Sequence, residues 1–163
     1  MASIRVGIGY DIHRLAVGRP LRLAGIEIPA DRGPVAHSDG DVVLHAVADA
    51  MLGAAALGDL GRHFPDTDPV WKDADSSVIL RRAADLVRAA GYRPAGADCN
   101  VLLEAPRLAP HREAMQGRLA ELLGLAPNAV NVKARTMEGL GPVGAGEAVA
   151  AQAVVVLEPT PDA

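Results

Sequence analysis

Aromatic residues are scarce in this sequence. Phe, Trp and Tyr make only 2% of the 163 residues although half are apolar, so Ala, Val, Leu and Ile must build the core. Such a core packs closely and favours tight helix–sheet contacts. Cysteine is nearly missing as well. Cys99 stands alone, which excludes an internal disulfide and a thiolate metal cluster and points to the cytoplasm. No apolar run reaches the roughly 18 residues that span a bilayer, and the leading MASIRVGIGYDIH lacks a secretory apolar stretch, so no membrane partner is expected. An excess of basic charge is also lacking. A net charge of −4, a pI near 5.7 and the absence of any basic stripe argue against a nucleic-acid partner.

The length suits one domain over residues 1–163 with a core of its own, and no repeat or low-complexity linker interrupts it. Residues 3–10 alternate, Ile4, Val6 and Ile8 against Ser3, Arg5 and Gly7, predicting a half-buried strand that continues towards His13. RPLRLAGIEIP predicts a hairpin about Ala24-Gly25. A helix is predicted from about Ser38 to Ala56, with Ser38 or Asp39 as N-cap and Gly58 past its end. Residues 58–75, rich in Gly, Pro and Asp, read as a functional loop. DSSVILRRAADLVRAAG is a helix capped by Asp75 or Ser76 and ended by Gly91, with Ile79, Leu80, Ala83, Leu86 and Val87 as its apolar face.

GADCNVLLEAP then predicts a strand, and PHREAMQGRLAELLG a helix with Pro110 near its first position and Gly124 just past its end. NAVNVKART and GEAVAAQAVVVLEP predict two further strands. Hairpins mixed with helical crossovers give an α/β (α+β) fold, a mixed sheet with helices mainly on one face.

At about 100° per residue, Asp41, His45 and Asp49 share one stripe of the first predicted helix. Asp11 and His13 stand two apart at the end of the first strand, where the period of 2 points both side chains to one face. Asp11, His13 and His45 together make a donor set suited to zinc, and three protein ligands leave one position open for chemistry. Asp41 or Asp49, each four residues from His45, is a candidate to fix its tautomer. The competing reading is a solvated His13 and a salt-bridged outer helix face.

A helix starting near Ser38 offers free amides to an anion, with His37 and Ser38 as further donors, unless Ser38 is a plain cap. Near the C-terminus, KARTMEGLGPVGAGE places Arg135, Thr136, Met137 and Glu138 before four glycines. Thr136 can donate to phosphate and Glu138 can hold Mg²⁺, or the segment is a Gly-rich turn.

GIGYDIH (residues 7–13), AHSDGDVVLHAVADAMLGAAALGDLG, HFPDTDP, KDADS, EAPRLAPH, NVKA and EGLG occur in that order along nearly the whole chain. Together they resemble the 2-C-methyl-D-erythritol 2,4-cyclodiphosphate synthase family of the non-mevalonate isoprenoid pathway. The resemblance implies a homotrimer with active sites between subunits. It implies zinc on Asp11, His13 and His45, and Mg²⁺ or Mn²⁺ on Glu138 and the substrate diphosphate. The substrate would be 4-diphosphocytidyl-2-C-methyl-D-erythritol 2-phosphate, with the cyclic diphosphate and CMP as products.

In that reading His37 and Thr136 stabilise the transition state of an in-line phosphoryl transfer. Asp11, Ile12, His13, His37 and Ser38 contact substrate, and Asp59, Leu60 and Gly61 with Phe64, Pro65, Asp66, Thr67 and Asp68 bind its methylerythritol end. Leu103, Glu104, Ala105, Pro106, Arg107, Leu108 and Ala109 form the cytidine pocket from the adjacent subunit, and Arg135, Thr136, Met137 and Glu138 face the phosphates. Familiar members read roughly ATTTEGLGFTGRGEG in the last motif. The Phe and Arg that line their trimer-axis cavity for isoprenoid diphosphates are Pro142 and Ala145 here, so the resemblance does not carry that ligand site over. A zinc-dependent hydrolase of nucleoside diphosphate esters is the alternative enzyme, and a metal-braced trimer without catalysis the alternative scaffold. His63 and His111 read as loop or surface histidines.

Overall fold

The computed structural model describes residues 3–160; residues 1–2 and 161–163 of the expected 1–163 domain lie outside that range. In chain order it contains β1 (Arg5–Val17), β2 (Leu21–Leu23), β3 (Ile26–Ile28), β4 (Arg32–Pro34), α1 (Val42–Ala54) and the one-turn α2 (Leu60–His63). These are followed by α3 (Ser76–Ala89), β5 (Tyr92–Leu102), α4 (Arg112–Leu123), β6 (Val130–Arg135), the short α5 (Gly141–Gly144) and β7 (Ala148–Pro159). Five strands form one sheet in the order β4-β1-β7-β5-β6. All its pairings are antiparallel except β5 with β6, which α4 joins as a crossover. β2 and β3 form the expected separate hairpin, turning through Ala24 and Gly25 at φ 54° and 78°. This is the expected mixed sheet, with one further strand, β4, too short to show any periodicity.

The alternation of β1 is real, but its sides are the reverse of what hydropathy suggests. Ile4, Val6, Ile8, Tyr10 and Ile12 point away from the helices and stay exposed, Ile4 at 68% and Ile12 at 44%. The buried positions are Gly7 and Gly9, under α1. A Cβ at Gly7 would lie 1.9 Å from the Ala50 carbonyl oxygen, and one at Gly9 2.0 Å from that of Ala46. Only glycine permits that approach. Facing them, α1 presents Ala46, Ala50 and Ala54. An aromatic-poor core thus takes the form of a helix backbone resting almost directly on a strand.

α1 starts at Val42 rather than near Ser38, because Asp41 is its N-cap. The Asp41 carboxylate accepts from the amides of Val43 and Leu44, both at 3.1 Å, and from those of Ala24 at 3.0 Å and Gly25 at 2.7 Å. It therefore closes the helix and pins the hairpin tip against it. The helix stops at its cap Ala55, followed by Ala56 in the left-handed region. Met51, Leu44 and Leu52 are at most 1% exposed, each contributing about 1.5–3 kcal/mol by burial.

α3 follows expectation, with Asp75 capping Ser77 and Ile79, Leu80, Ala83 and Val87 buried; Leu86 is only partly covered. α4 ends at Gly124 with φ 68° as expected, while Pro110 belongs to a 3₁₀ turn, Ala109–His111, before the helix. The region read as a loop, 58–75, contains α2 and a second 3₁₀ turn, Pro69–Trp71. Each is capped by an aspartate, Asp59 and Asp68, accepting from Arg62 and Val70 amides.

Candidate active site

Asp11 and His13 share the inward side of β1 with Gly7 and Gly9, beyond the point where α1 rests on the strand. His45 lies in the first turn of α1, directly over them. Asp11 Oδ2 is 2.9 Å from both His13 Nε2 and His45 Nδ1, and the two ring nitrogens are 3.4 Å apart. One donor atom from each residue falls within 4.8 Å of the other two. Ligands at metal bonds of about 2.1 Å in a tetrahedron sit about 3.4 Å apart, so this spacing fits a small divalent ion. Two imidazoles and one carboxylate are also the chemistry such an ion takes.

The electrostatics agree. Burial works to raise the Asp11 pKa, but hydrogen bonds and charge from His13 and His45 outweigh it and hold the carboxyl well below its usual range. Burial likewise works against a charged His45, and Asp11 outweighs it, raising the imidazole. The Asp11 carboxylate is thus negative at neutral pH, ready to bind a cation.

Neither carboxylate expected to orient His45 touches it. Asp41 is the helix cap described above, and Asp49 accepts from the Leu60 amide at 2.9 Å, tying α2 to α1. With the helix beginning at Val42 and Asp41 its extended N-cap, position 41 is not part of the helical stripe. The far edge of His45 instead meets Ser76, whose Oγ lies 2.8 Å from Nε2 and itself donates to the Asp39 carboxylate. Ser38 Oγ lies 3.2 Å from the same nitrogen. Ser76 and Asp39 were not singled out as site residues by the sequence reading. The only signal was the serine opening α3, which reads as an ordinary cap.

The anion site expected at the start of the first helix takes another form. The leading amides of α1 are occupied by Asp41, so no free helix amides stand at Ser38. His37 and Ser38 line a small cavity of about 100 Å³ with His45, Phe64, Asp66, Trp71 and Ile79. Phe64 meets Trp71 edge to face, centroids 5.0 Å apart. His37 Nε2 is 3.4 Å from the Asp68 carbonyl oxygen. Of the residues expected at the methylerythritol end, Phe64 and Asp66 line this cavity. Pro65 and Asp68 are half-buried beside it in sequence, Asp59, Gly61 and Thr67 are exposed, and Leu60 packs against the core. Trp71 and Ile79 are lining residues the sequence reading missed. His63 Nε2 donates to the Leu57 carbonyl oxygen at 2.9 Å, and so carries a proton there.

A second cavity, of about 500 Å³, is lined by Leu103, Glu104, Arg107, Leu108 and Ala109 from one side and Ala134, Arg135, Thr136 and Glu138 from the other. The Glu104 carboxylate accepts from the amides of Met137 at 2.9 Å and Gly139 at 3.3 Å, holding a turn in which Glu138 has φ 52°. Thr136 Oγ1 donates to Glu138 Oε1 at 3.0 Å. Ala105 and Pro106, joined by a cis peptide bond, and Met137 do not line the cavity. The two cavities share no residue. Sheet register explains why: Ile12, Ala150, Leu102 and Arg135 form one row across β1, β7, β5 and β6, so the metal cluster and Arg135 are about three strand spacings, or ~14 Å, apart.

Residues 4–158 match the YgbB family. The chain is 57% identical to the 2-C-methyl-D-erythritol 2,4-cyclodiphosphate synthase of Salinibacter ruber, over 95% of this chain and 99% of that one. A solved 2C-methyl-D-erythritol-2,4-cyclodiphosphate synthase in its CDP-bound form superposes with a TM-score of 0.88 at 45% identity, covering 94% of this chain and all of that one. The Plasmodium falciparum IspF complex with CDP gives a TM-score of 0.85 at 31% identity, covering 98% and 99% of the two chains. With the fold, the order of its motifs and nearly every described residue accounted for in this way, the chain belongs to the YgbB family.

Proposed function

We propose that the chain cyclises 4-diphosphocytidyl-2-C-methyl-D-erythritol 2-phosphate to 2-C-methyl-D-erythritol 2,4-cyclodiphosphate with release of CMP, as a single cytoplasmic domain of the non-mevalonate isoprenoid pathway. The observation that carries this reading is the convergence of Asp11, His13 and His45 in a chain 57% identical, over nearly its whole length, to a protein of that name.

The 2-phosphate oxygen forms a bond to the β-phosphorus while the bond from that phosphorus to the oxygen of the α-phosphate breaks, and CMP departs with the electron pair. Such a transfer asks the protein mainly for alignment and neutralisation of charge. When bound, zinc on Asp11, His13 and His45 and Mg²⁺ or Mn²⁺ on Glu138 supply Lewis-acid neutralisation of the phosphates. His37 and Ser38, at the wall of the smaller cavity, donate to phosphate oxygens there, and the Phe64–Asp68 segment encloses the methylerythritol end and excludes water. Thr136 and Arg135 donate to the diphosphate, and residues 103–109 with Arg107 receive the cytidine.

The reaction needs both cavities on one substrate, and the catalytic unit in this reading is a homotrimer in which the 103–109 and 134–138 cavity of one subunit completes the metal-side cavity of its neighbour. The exposed column of Ile4, Val6, Ile8, Tyr10 and Ile12, continued by Val154 on β7, supports it, because a monomer rarely leaves so regular an apolar face to water. So does Asn100 on the same side of β5, whose buried Oδ1 has no hydrogen-bond partner among the described residues.

The test is an assay of the purified protein on the authentic substrate with Mg²⁺ or Mn²⁺, following CMP and identifying the second product by ³¹P NMR. A cyclic diphosphate is expected. An open-chain phosphate makes the protein a hydrolase, and no CMP under any divalent cation leaves it a non-catalytic assembly.

A further inference from the structure

The outer edge of His45 carries a hydrogen-bond chain that the reaction chemistry above does not use. Ser76, fully buried at the first position of α3, places Oγ 2.8 Å from His45 Nε2 and donates its hydroxyl proton to Asp39 Oδ1. The other oxygen of Asp39 accepts from the Ser76 amide at 3.1 Å. Asp39 is fixed in turn: its amide donates to the Ala74 carbonyl at 3.0 Å, and the Asp73 amide donates to the His37 carbonyl at 2.8 Å. These bonds close the segment before α1 onto the segment before α3.

Counting protons gives this chain a direction. An ionised carboxylate only accepts, and a serine hydroxyl has one proton. That proton goes to Asp39, so Ser76 Oγ turns a lone pair to His45 Nε2, and Nε2 must be the nitrogen that carries hydrogen. His45 Nδ1 is then the nitrogen left to face Asp11 and His13. Protonated, it donates to Asp11 Oδ2 at 2.9 Å, and with that proton given up it would present its lone pair to an ion held there, the orientation a metal ligand needs.

We propose that Ser76 and Asp39 are positioning residues, a carboxylate–hydroxyl relay that fixes the tautomer and ring orientation of His45 and thereby sets the affinity of the Asp11, His13 and His45 site for its ion. The inference rests on the metal reading given above. It assigns the relay to two residues from different parts of the chain, neither of which touches the other two ligands. Ser38 is the competing hydroxyl. Its Oγ is farther from Nε2, at 3.2 Å, and has no carboxylate behind it, accepting instead from the Gly40 amide at 3.2 Å.

The experiment measures zinc dissociation constants by competition with a chromophoric chelator, and the His45 Nε2 proton by NMR in ¹⁵N-histidine-labelled, zinc-loaded protein. For Ser76→Ala the expected result is zinc binding weakened about 10–100-fold, the usual effect of losing such a partner. The Nε2 proton resonance should move upfield and exchange faster with water, a change that loss of packing alone does not produce. Ser38→Ala, read for the same two quantities, is expected to leave both in place. If Ser76→Ala does not fold, Asp39→Asn is read the same way, since it puts an amide NH₂ on one of two oxygens that must both accept. Unchanged zinc affinity and an unchanged Nε2 proton in the variant overturn the relay, as does a loss confined to Ser38→Ala. Failure of the parent protein to take up zinc overturns the metal reading itself, and the relay with it.

Discussion

Gly9 lies so close beneath Ala46 that a Cβ on the glycine would stand 2.0 Å from the alanine carbonyl oxygen. Backbone meets backbone there, and neither α1 nor β1 has a flexible end to move aside. Gly9→Ala should therefore destabilise the protein by about 3 kcal/mol or more, at the upper end of overpacking effects. It should also lift His45 away from Asp11 and His13. Urea denaturation checks the first outcome, and zinc affinity of the fraction that folds checks the second.

Asp41 and Asp49 separate in the same way. Asp41→Ala removes the acceptor of four backbone amides, two in α1 and two at the β2–β3 turn, and should lower stability by about 3 kcal/mol or more. Asp49→Ala removes one such bond, to Leu60, and should lower it by about 1 kcal/mol. Neither carboxylate contacts His45, so Asp49→Ala is expected to bind zinc as the parent does. A large loss of zinc affinity in that variant contradicts the geometry.

Much of this architecture is legible in the sequence. The three candidate ligands were, because a period of 2 on β1 and a histidine near the start of an apolar helix each have a simple geometry. The boundaries of α3 were too, since Asp75 and Gly91 are strong local signals. Two readings failed for related reasons. The start of α1 is set by contacts from Asp41 to Ala24 and Gly25, 17 and 16 residues away, and no local propensity shows those. The buried side of β1 is occupied by glycines, which carry no hydropathy, so the visible alternation of Ile4, Val6 and Ile8 marks the uncovered side. Ser76 and Asp39 stayed hidden because Ser76 meets His45 from 31 positions away and Asp39 meets Ser76 from 37 positions away, through a fold that a single sequence does not display.

The uncovered side of β1 gives a test of assembly. Ile8 is 63% exposed in the isolated chain, so Ile8→Glu should leave folding of a single subunit and its zinc affinity nearly unchanged. In the trimeric reading it should abolish the trimer and CMP release together. Sedimentation velocity and the CMP assay on one preparation decide this. A monomeric variant with full activity contradicts the shared site.

Cys99 is completely buried in β5, and burial pushes its thiol up to about 12. The thiolate needed for reaction is thus almost absent at neutral pH. The native protein should not react with Ellman's reagent, whereas the unfolded chain should titrate as one thiol. Rapid labelling of the folded protein contradicts the packing of α1 on the sheet.

Trp71 stands edge-on to Phe64 at the wall of the smaller cavity, and no second tryptophan exists in the sequence. The chain therefore carries its own fluorophore at the mouth of the metal-side cleft. A molecule that enters, or a shift of the 64–71 segment, changes the surroundings of one indole, whose emission is separated from that of Tyr10 and Tyr92 by excitation at the red edge, so occupancy can be followed in an unlabelled protein.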